Sequence, residues 1–355
     1  MQTSPQPSGT IKRNSIISKS NLILLTGANG FVGSKVFEIL LEYGFRNIRC
    51  LVRSERNTAG LRQIAAGAGL DVEFIEGNLL SRDDCSRAAR DAALILHLAA
   101  GTSKSFAGCF MDSALATRNL LDAALQGKSL QRFLSVSSIA VHSGFRSGRG
   151  ELLDEQSPIE SEHMARFDPY CYGKIKQDEL VMAYGRERGL PYVILRPGVV
   201  YGPGKKSLTG RVGTDVFGVF LHIGGANRLP LIYLDNCAEA IVLAGIVEGT
   251  AGEVLIAVDD ELPTSREFLR LYKNNVRHFF SITLPYPVFY AFNWLWEKYA
   301  AWSEGQLPPA FNRWQCAAYY KERTYTNRKL KEHTGWTPRV PYADAARRYF
   351  KYMRT

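Results

Sequence analysis

The segment PYCYGKIK, starting at Pro169, sets a tyrosine four residues before a lysine twice: Tyr170 with Lys174, and Tyr172 with Lys176. Residues four apart share one face of a helix. A phenol beside an ammonium can give and take a proton, because the cation stabilises the phenolate. Residues two apart on a helix point to nearly opposite sides, so only one of the two pairs can face a given reaction centre. Spacing alone leaves both registers open.

A second stretch is suited to a phosphate. TGANGFVG places Gly27, Gly30 and Gly33 at three-residue intervals, directly after the apolar run NLILL and before the helical pattern SKVFEILLEYG. One glycine makes the tight turn, one lets the backbone approach a pyrophosphate, and one lets helix and strand close together, while the helix N-terminus supplies N–H donors. The strand–loop–helix setting makes this a dinucleotide-binding loop, with Asn29, Phe31 and Val32 counted among its contacts. An acid normally grips the ribose hydroxyls about 20 residues further on. Arg53, in CLVRSER, stands there instead. A guanidinium can stack on adenine and pair with a 2′-phosphate, which favours NADP over NAD.

The elements that must carry these residues alternate along the chain. NLILLTG, NIRCLVR, VEFIEGN, AALILHLAA, QRFLSVSS and PYVILRPG read as six strands, with helical patterns such as TRNLLDAAL and the PYCYGKIK segment between them. Strands that are apolar on both faces and alternate with helices imply a parallel sheet covered on both sides. After about Tyr201 the rhythm breaks into a Gly- and Lys-rich loop, GPGKKSLTGRVG. LPLIYLDNCAEAIVLAGIV then reads as a strand and helix returning to the sheet, and GEVLIAVDD as a further strand. From roughly Leu262 the chain is helical, aromatic-rich and interrupted by prolines.

Composition narrows the field. The chain has 355 residues, six scattered cysteines without a CxxC pair, and a formal net charge of +10. The cysteines read as reduced thiols, which with the lack of a signal-peptide pattern implies a cytoplasmic protein. The polar residues 1–20 read as a disordered tail. The positive charge is dispersed, with a modest cluster at Arg347, Arg348, Lys351 and Arg354, and no nucleic-acid-binding signature accompanies it. Nucleic acid is therefore not an expected partner. LPYPVFYAFNWLWEKYAAWS, from Leu284, could line an apolar pocket or lie in a membrane interface, but the favoured expectation is that it caps the second lobe or joins a dimer.

Taken with HLAA from His97, SVSSIAVH from Ser135 and LRPGVVYGPG from Leu195, these motifs resemble, in order, the extended short-chain dehydrogenase/reductases, the NAD-dependent epimerase/dehydratase family. The resemblance runs from about Asn21 to Asp260, and HTGWTPRV resembles the family's late LGW.P segment. It implies a Rossmann-type doubly wound parallel sheet over 21–258, with 202–233 contributing to a smaller, mostly helical C-terminal substrate lobe over 259–355, and a homodimer.

The family's catalytic pattern is a tyrosine, then a small residue before a lysine, then an acid four beyond it. Gly173, Lys174 and Asp178 fit the register from Tyr170, and Val181 falls on an apolar slot; from Tyr172 the corresponding slots hold Ile175 and Leu180. The resemblance thus implies a catalytic set of Ser138, Tyr170 and Lys174. Lys174 should hold the nicotinamide ribose and draw the phenol towards phenolate. Leu98, Ala99 and Ala100 should underlie the cofactor, Pro197 should position its nicotinamide amide, and Asn78, followed by Leu79, stands where the family has an adenine-contacting Asp. Ser113 replaces a structural Asn, and Arg196 should brace the sheet edge.

A 4,6-dehydratase needs an acid pair after the catalytic hydroxyl residue, and Ile139 and Ala140 are there instead. The leading expectation is an NAD(P)-dependent oxidoreductase acting on a secondary alcohol or ketone. The alternatives are a nucleotide-sugar epimerase with retained NAD, whose diphosphate Lys205, Lys206, Arg211 and Arg228 could meet, and a non-catalytic NAD(P)-binding scaffold.

Overall fold

The computed structural model describes residues 13–101, 103–216, 218–304, 306, 307 and 311–355. Seven parallel strands form the central sheet: β1 (Ile23–Thr26), β2 (Ile48–Val52), β3 (Glu73–Glu76), β4 (Leu94–His97), β5 (Arg132–Val136), β6 (Tyr192–Pro197) and β7 (Glu253–Ala257). Their order is β7-β6-β5-β4-β1-β2-β3. The chain reverses direction of travel between β1 and β4, the switch point at which doubly wound sheets open a crevice beyond the strands' C-terminal ends.

Alternation of side chains explains the wholly apolar strands. Ile23, Leu25, Leu94, Leu96, Leu134, Val193 and Leu195 enter one core with Val36 and Leu40 of α1 (Phe31–Glu42) and Ile241 of α5 (Leu234–Ile246). Leu24, Ile95, Phe133 and Ile194, one residue out of phase, enter the opposite core. There they meet Leu120 and Leu121 of α3 (Ala116–Ala124) and Val181 and Tyr184 of α4 (Pro169–Arg188), with Cys85 of α2 (Arg82–Ala89). Each such side chain contributes about 1.5–3 kcal/mol on burial.

The helix α4 carries its own boundary signals. The Asp168 carboxylate accepts from the Cys171 N–H at 3.0 Å, Pro169 occupies the first turn, and Gly189 ends the helix in the left-handed region at φ 65°.

Two segments depart from the sequence expectation. Leu231–Tyr233 does not join the seven-stranded sheet but pairs with Val199–Tyr201 in a two-stranded sheet, while α5 does return to the main sheet's face. Gly213–Val216 and Val219–Ile223, around the Gly218 turn, form a small sheet with Ser281–Leu284. Their short apolar runs carry no periodicity strong enough to declare them. Of the tail expected to be disordered, residues 1–12 lie outside the described residues. From Arg13 onward the chain is held: Ile17 is buried, the Ile16 N–H donates to Ile246 O at 2.8 Å, and Arg13 donates to His333 O at 3.0 Å.

The C-terminal part is mostly helical: α6 (Ser265–Asn275), α7 (Tyr286–Trp302), α8 (Arg313–Tyr320) and α9 (Tyr342–Arg354). Its core joins Phe268, Leu269 and Tyr272 to Tyr349 and Phe350.

One of the tightest backbone approaches among the described residues lies in the glycine loop. A methyl on Gly33 would stand 2.0 Å from Gly27 O. Gly33→Ala should therefore lower the unfolding free energy by about 1–3 kcal/mol. Gly67→Ala, where nothing lies within 4 Å, should leave stability unchanged or raise it by up to about 1 kcal/mol. Urea unfolding followed by circular dichroism checks both.

Candidate functional site

The C-terminal ends of β1, β2 and β4 open onto a cavity of about 420 Å³. Gly27, Asn29, Gly30, Arg53, Asn78, Leu79, Leu98, Ala99 and Ala100 line it. At the turn Gly27 takes φ +73°, and a Cβ there would come within 2.8 Å of Ala99 N. The loop therefore closes over β4 only because a glycine stands there. Gly33 packs helix against loop, Val32 lies against the core, and Phe31 turns towards Gly204 instead of the cavity. Pro197 is buried at the end of β6, in register with Ala257. The cradle fits a dinucleotide: an exposed guanidinium lies at the adenosine end, and glycine backbone lines the strand switch point where a pyrophosphate would sit.

The loop is tied down by a buried relay of hydrogen bonds. The Ala99 N–H donates to Thr26 Oγ1 at 3.3 Å, and Thr26 contacts His97 Nδ1 at 2.8 Å. His97 Nε2 contacts Thr117 Oγ1 at 2.9 Å, and that hydroxyl donates to Ser113 O at 2.6 Å. Since the Thr117 proton is committed to a carbonyl, His97 must donate through Nε2 and accept from Thr26 at Nδ1. Ser113 sits in a π-helical turn, Phe110–Leu115, and its hydroxyl accepts from the Gly101 N–H at 3.3 Å, so the replacement of the structural Asn still anchors backbone. Asn78 lines the cavity, and its Oδ1 accepts from the Leu80 N–H at 3.0 Å, which uses one of the oxygen's two lone pairs in the turn.

On α4 the two Tyr/Lys registers diverge. Tyr172 packs against His163 at 4.8 Å and Phe106 at 5.6 Å, and Lys176 pairs with Glu179 at 2.7 Å. Tyr170 lies beside Ser138, and Lys174 Nζ donates to Val136 O at 2.6 Å and Gln177 Oε1 at 2.8 Å. Ser138 ends the β5 segment and caps a short 3₁₀ turn by accepting from the Ala140 N–H at 3.1 Å.

Protonation follows burial. Tyr170 is 36% exposed as a residue, yet desolvation of its hydroxyl pushes the phenol up to about 12, against the effect of the neighbouring Ser138 hydroxyl, with Asp168, Cys171 and Tyr319 adding to the rise. Burial draws Lys174 down to about 8, partly opposed by Asp178. The expected pull of Lys174 on the phenol is thus outweighed: the ammonium is turned to Val136 and Gln177, and the chain alone keeps Tyr170 protonated at neutral pH.

Arg196 does not brace the sheet edge alone but pairs with Asp178 at 3.1 Å, and Ser137 donates to the same carboxylate at 2.9 Å. Arg196 also approaches His142 Nε2 at 3.3 Å, while His142 Nδ1 donates to Ser157 O at 3.0 Å. Neutral His142 is thereby fixed as the Nδ1–H tautomer.

Sequence reasoning missed the residues that the C-terminal lobe delivers. Tyr319 of α8 lies close enough to Tyr170 to act on its phenol, and Arg166 and Arg211 lie over the Tyr319 ring at 6.0 and 5.2 Å. Arg323 is buried beside them, its charge opposed by theirs. Arg166 Nε and Arg323 Nε and Nη1 are buried without a hydrogen-bond partner among the described residues. Arg211 keeps company with this cluster. Arg228 instead donates to Leu262 O, Lys206 lies over Tyr352, and Lys205 lines a separate cavity of about 180 Å³. Nothing local in the sequence could have joined Arg166 to Tyr319. All six cysteines are buried and unbonded, and among the described residues no cluster could hold a metal ion.

The profile of the NAD dependent epimerase/dehydratase family matches residues 23–254. The low-salt glycan biosynthesis protein Agl12 of Haloferax volcanii is 30% identical over 65% of this chain and 75% of its own length. A trifunctional UDP-glucose 4,6-dehydratase/UDP-4-keto-6-deoxy-D-glucose 3,5-epimerase/UDP-4-keto-L-rhamnose-reductase, RHM3 of Arabidopsis thaliana, is 28% identical over 62% of this chain, which spans 35% of that protein's length. The 3beta-hydroxysteroid-dehydrogenase/decarboxylase isoform 1 of Arabidopsis thaliana is 22% identical over 92% of this chain and 78% of its own. Among solved structures, gox2253 superposes with a TM-score of 0.74 at 23% identity, covering 94% of this chain and 98% of that one. UDP-glucuronic acid 4-epimerase from Bacillus cereus, in complex with UDP-glucuronic acid and NAD, superposes with a TM-score of 0.69 at 19% identity and the same coverage.

Two of the buried histidines, His97 and His142, resist protonation most strongly. Burial holds His142 and His97 at about 3, with Arg196 and Lys174 respectively adding to the effect. An unfolded histidine titrates near about 6.5, so between about 6.5 and about 3 only the unfolded chain takes up these protons, and stability falls as pH falls through that window. His142→Gln should flatten the acid side of the stability curve by up to about 1.4 kcal/mol per pH unit between about pH 6 and 4, measured by urea unfolding at each pH.

Proposed function

The chain belongs to the NAD dependent epimerase/dehydratase family, and on that premise we propose that it moves a hydride to and from a carbon bearing a secondary hydroxyl, with Ser138, Tyr170 and Lys174 as the catalytic set and a nucleotide sugar as substrate. The observation that carries this reading is the placement of Ser138, just beyond β5, beside the Tyr170 hydroxyl, with the Lys174 ammonium one helical turn further along α4. A bound nicotinamide dinucleotide supplies the hydride donor and acceptor in the cradle of Gly27, Gly30 and Ala99. Tyr170, protonated at neutral pH, gives its proton to a substrate carbonyl oxygen and takes it back from the alcohol in the reverse step. Ser138 donates to the same oxygen as negative charge gathers there. Lys174 holds the cofactor ribose, and its charge favours the phenolate left behind.

The substrate class rests on the arginines. Arg166, which also pairs with Asp168 at 3.0 Å, gathers with Arg211 and Arg323 around Tyr319, close to Tyr170. A diphosphate satisfies such a cluster, because charge-assisted hydrogen bonds to guanidinium are strong and often bidentate. Return of the hydride to the same substrate would make the reaction an epimerisation. The missing acid pair at Ile139 and Ala140 speaks against a dehydratase. Net oxidation or reduction of an apolar alcohol or ketone is the second reading. It is supported by the likeness to the hydroxysteroid dehydrogenase/decarboxylase, which extends through the C-terminal lobe. Preference for NADP rests on Arg53, and a cytoplasmic setting on the free thiols; a homodimer remains part of the proposal.

Identifying the nicotinamide cofactor that co-purifies separates these readings. Tightly held NAD, unchanged after turnover of a UDP-sugar, supports the epimerase. Loosely held cofactor with NADPH affinity well above NADH supports the net oxidoreductase, and binding of neither overturns both. Tyr170→Phe should lower kcat at least about a hundredfold while leaving cofactor affinity within a factor of about three, since the phenol oxygen touches substrate. Tyr172→Phe should leave turnover near wild type; a large loss there would move the catalytic register to Tyr172 and Lys176.

A further inference from the structure

The aromatic stretch covers the second lobe with one side only, where Phe289 meets Phe311 and Tyr320 at 6.4 and 5.8 Å and Trp296 meets Phe311 at 5.7 Å. Of the seventeen residues of α7, Phe289 and Asn293 are buried. Val288, Phe292, Leu295, Tyr299 and Trp302 recur at alternating steps of four and three, which places them on one face of the helix. That face is open: Leu295 is 59% exposed and Trp302 76%. The strand leading into α7 extends it, because Phe280 is 70% and Ile282 44% exposed, and residues two apart on a strand share a side. A soluble surface rarely leaves so many contiguous large apolar groups in water without a partner.

Charge identifies the partner. Arg277 and His278 are exposed in the turn just before Phe280, and Lys298 is exposed on α7 itself. Arg354, at the end of α9, hydrogen-bonds Asn275 and so brings that helix's basic end, with exposed Lys351, beside the same turn. The acids on these elements are mostly engaged: Glu297 pairs with Arg313 at 2.7 Å and Asp344 with Arg347, while Glu304 lies beyond the end of α7. A second copy seated on this face through a two-fold axis would bring like cations together. An anionic lipid surface attracts those cations, and the rings of Tyr299 and Trp302 suit the headgroup boundary, where an apolar body and a polar edge are both accommodated.

We infer that the face formed by Phe280, Ile282 and α7 docks on an anionic membrane surface, lying in the headgroup region without spanning the bilayer. No helix among the described residues is long and apolar enough to cross a membrane. The purified full-length chain, mixed with phosphatidylcholine vesicles with and without phosphatidylserine, should sediment with the anionic vesicles and show a blue shift of tryptophan emission. The double variant Leu295→Ser/Trp302→Ser should bind at least about tenfold more weakly with an unchanged melting temperature. Arg277→Glu/Lys351→Glu should remove the preference for anionic vesicles. Equal sedimentation of the wild type and the Ser variant would overturn the inference. So would a wild type that ignores vesicles but runs as a dimer which the Ser variant dissolves, since the face would then belong to a second copy.

Discussion

The site depends on one buried ion pair. Asp178 lies on α4 and Arg196 on β6, both almost wholly buried, and their contact fixes how the helix lies across the end of the sheet. Ser137, one residue before Ser138, donates to the same carboxylate, so the pair also sets the backbone that presents Ser138 to Tyr170. Two charges held away from water are stable only when each is compensated, and removing one partner of such a pair costs about 3–5 kcal/mol. The network is therefore rigid as well as charged. It continues through Arg196 to His142 and on to Ser157 O, linking α4 to the loop that follows β5.

The same removal from water shifts the titrating groups in opposite directions. It raises the phenol of Tyr170 and lowers the ammonium of Lys174, because in each case the charged form is the one disfavoured. The two groups, nearly equal in proton affinity in water, move apart, with the phenol at about 12 and the ammonium at about 8. His97, drawn down by burial and by Lys174, stays neutral, and its relay from Ala99 to Ser113 holds the cofactor-facing loop without adding charge.

Much of the fold could be read directly. Apolar strands such as NLILL and PYVILRP reflect a sheet covered on both faces, and the Asp168–Pro169 start of α4 is local hydrogen-bond chemistry. The glycine loop was legible because Gly27 and Gly33 each stand where a single Cβ would strike backbone. Other features were not. The strand Val219–Ile223 pairs on one side with Ser281–Leu284, about sixty residues away, which its own pattern does not announce. The turn bond from the Leu80 N–H to Asn78 Oδ1 was equally unannounced.

The sequence by itself determined the layered sheet and the glycine loop, because those rest on periodicity and glycine sterics, while the short list Ser138, Tyr170 and Lys174 came from the family resemblance, since spacing alone left both Tyr/Lys registers open. Only the tertiary structure decided that Lys174 turns towards Val136 and that Tyr319 and three arginines gather opposite Tyr170. It also decided that the aromatic face of α7 points outward. Burial and long-range contact set these outcomes, and both are properties of how distant segments meet, which no local pattern encodes.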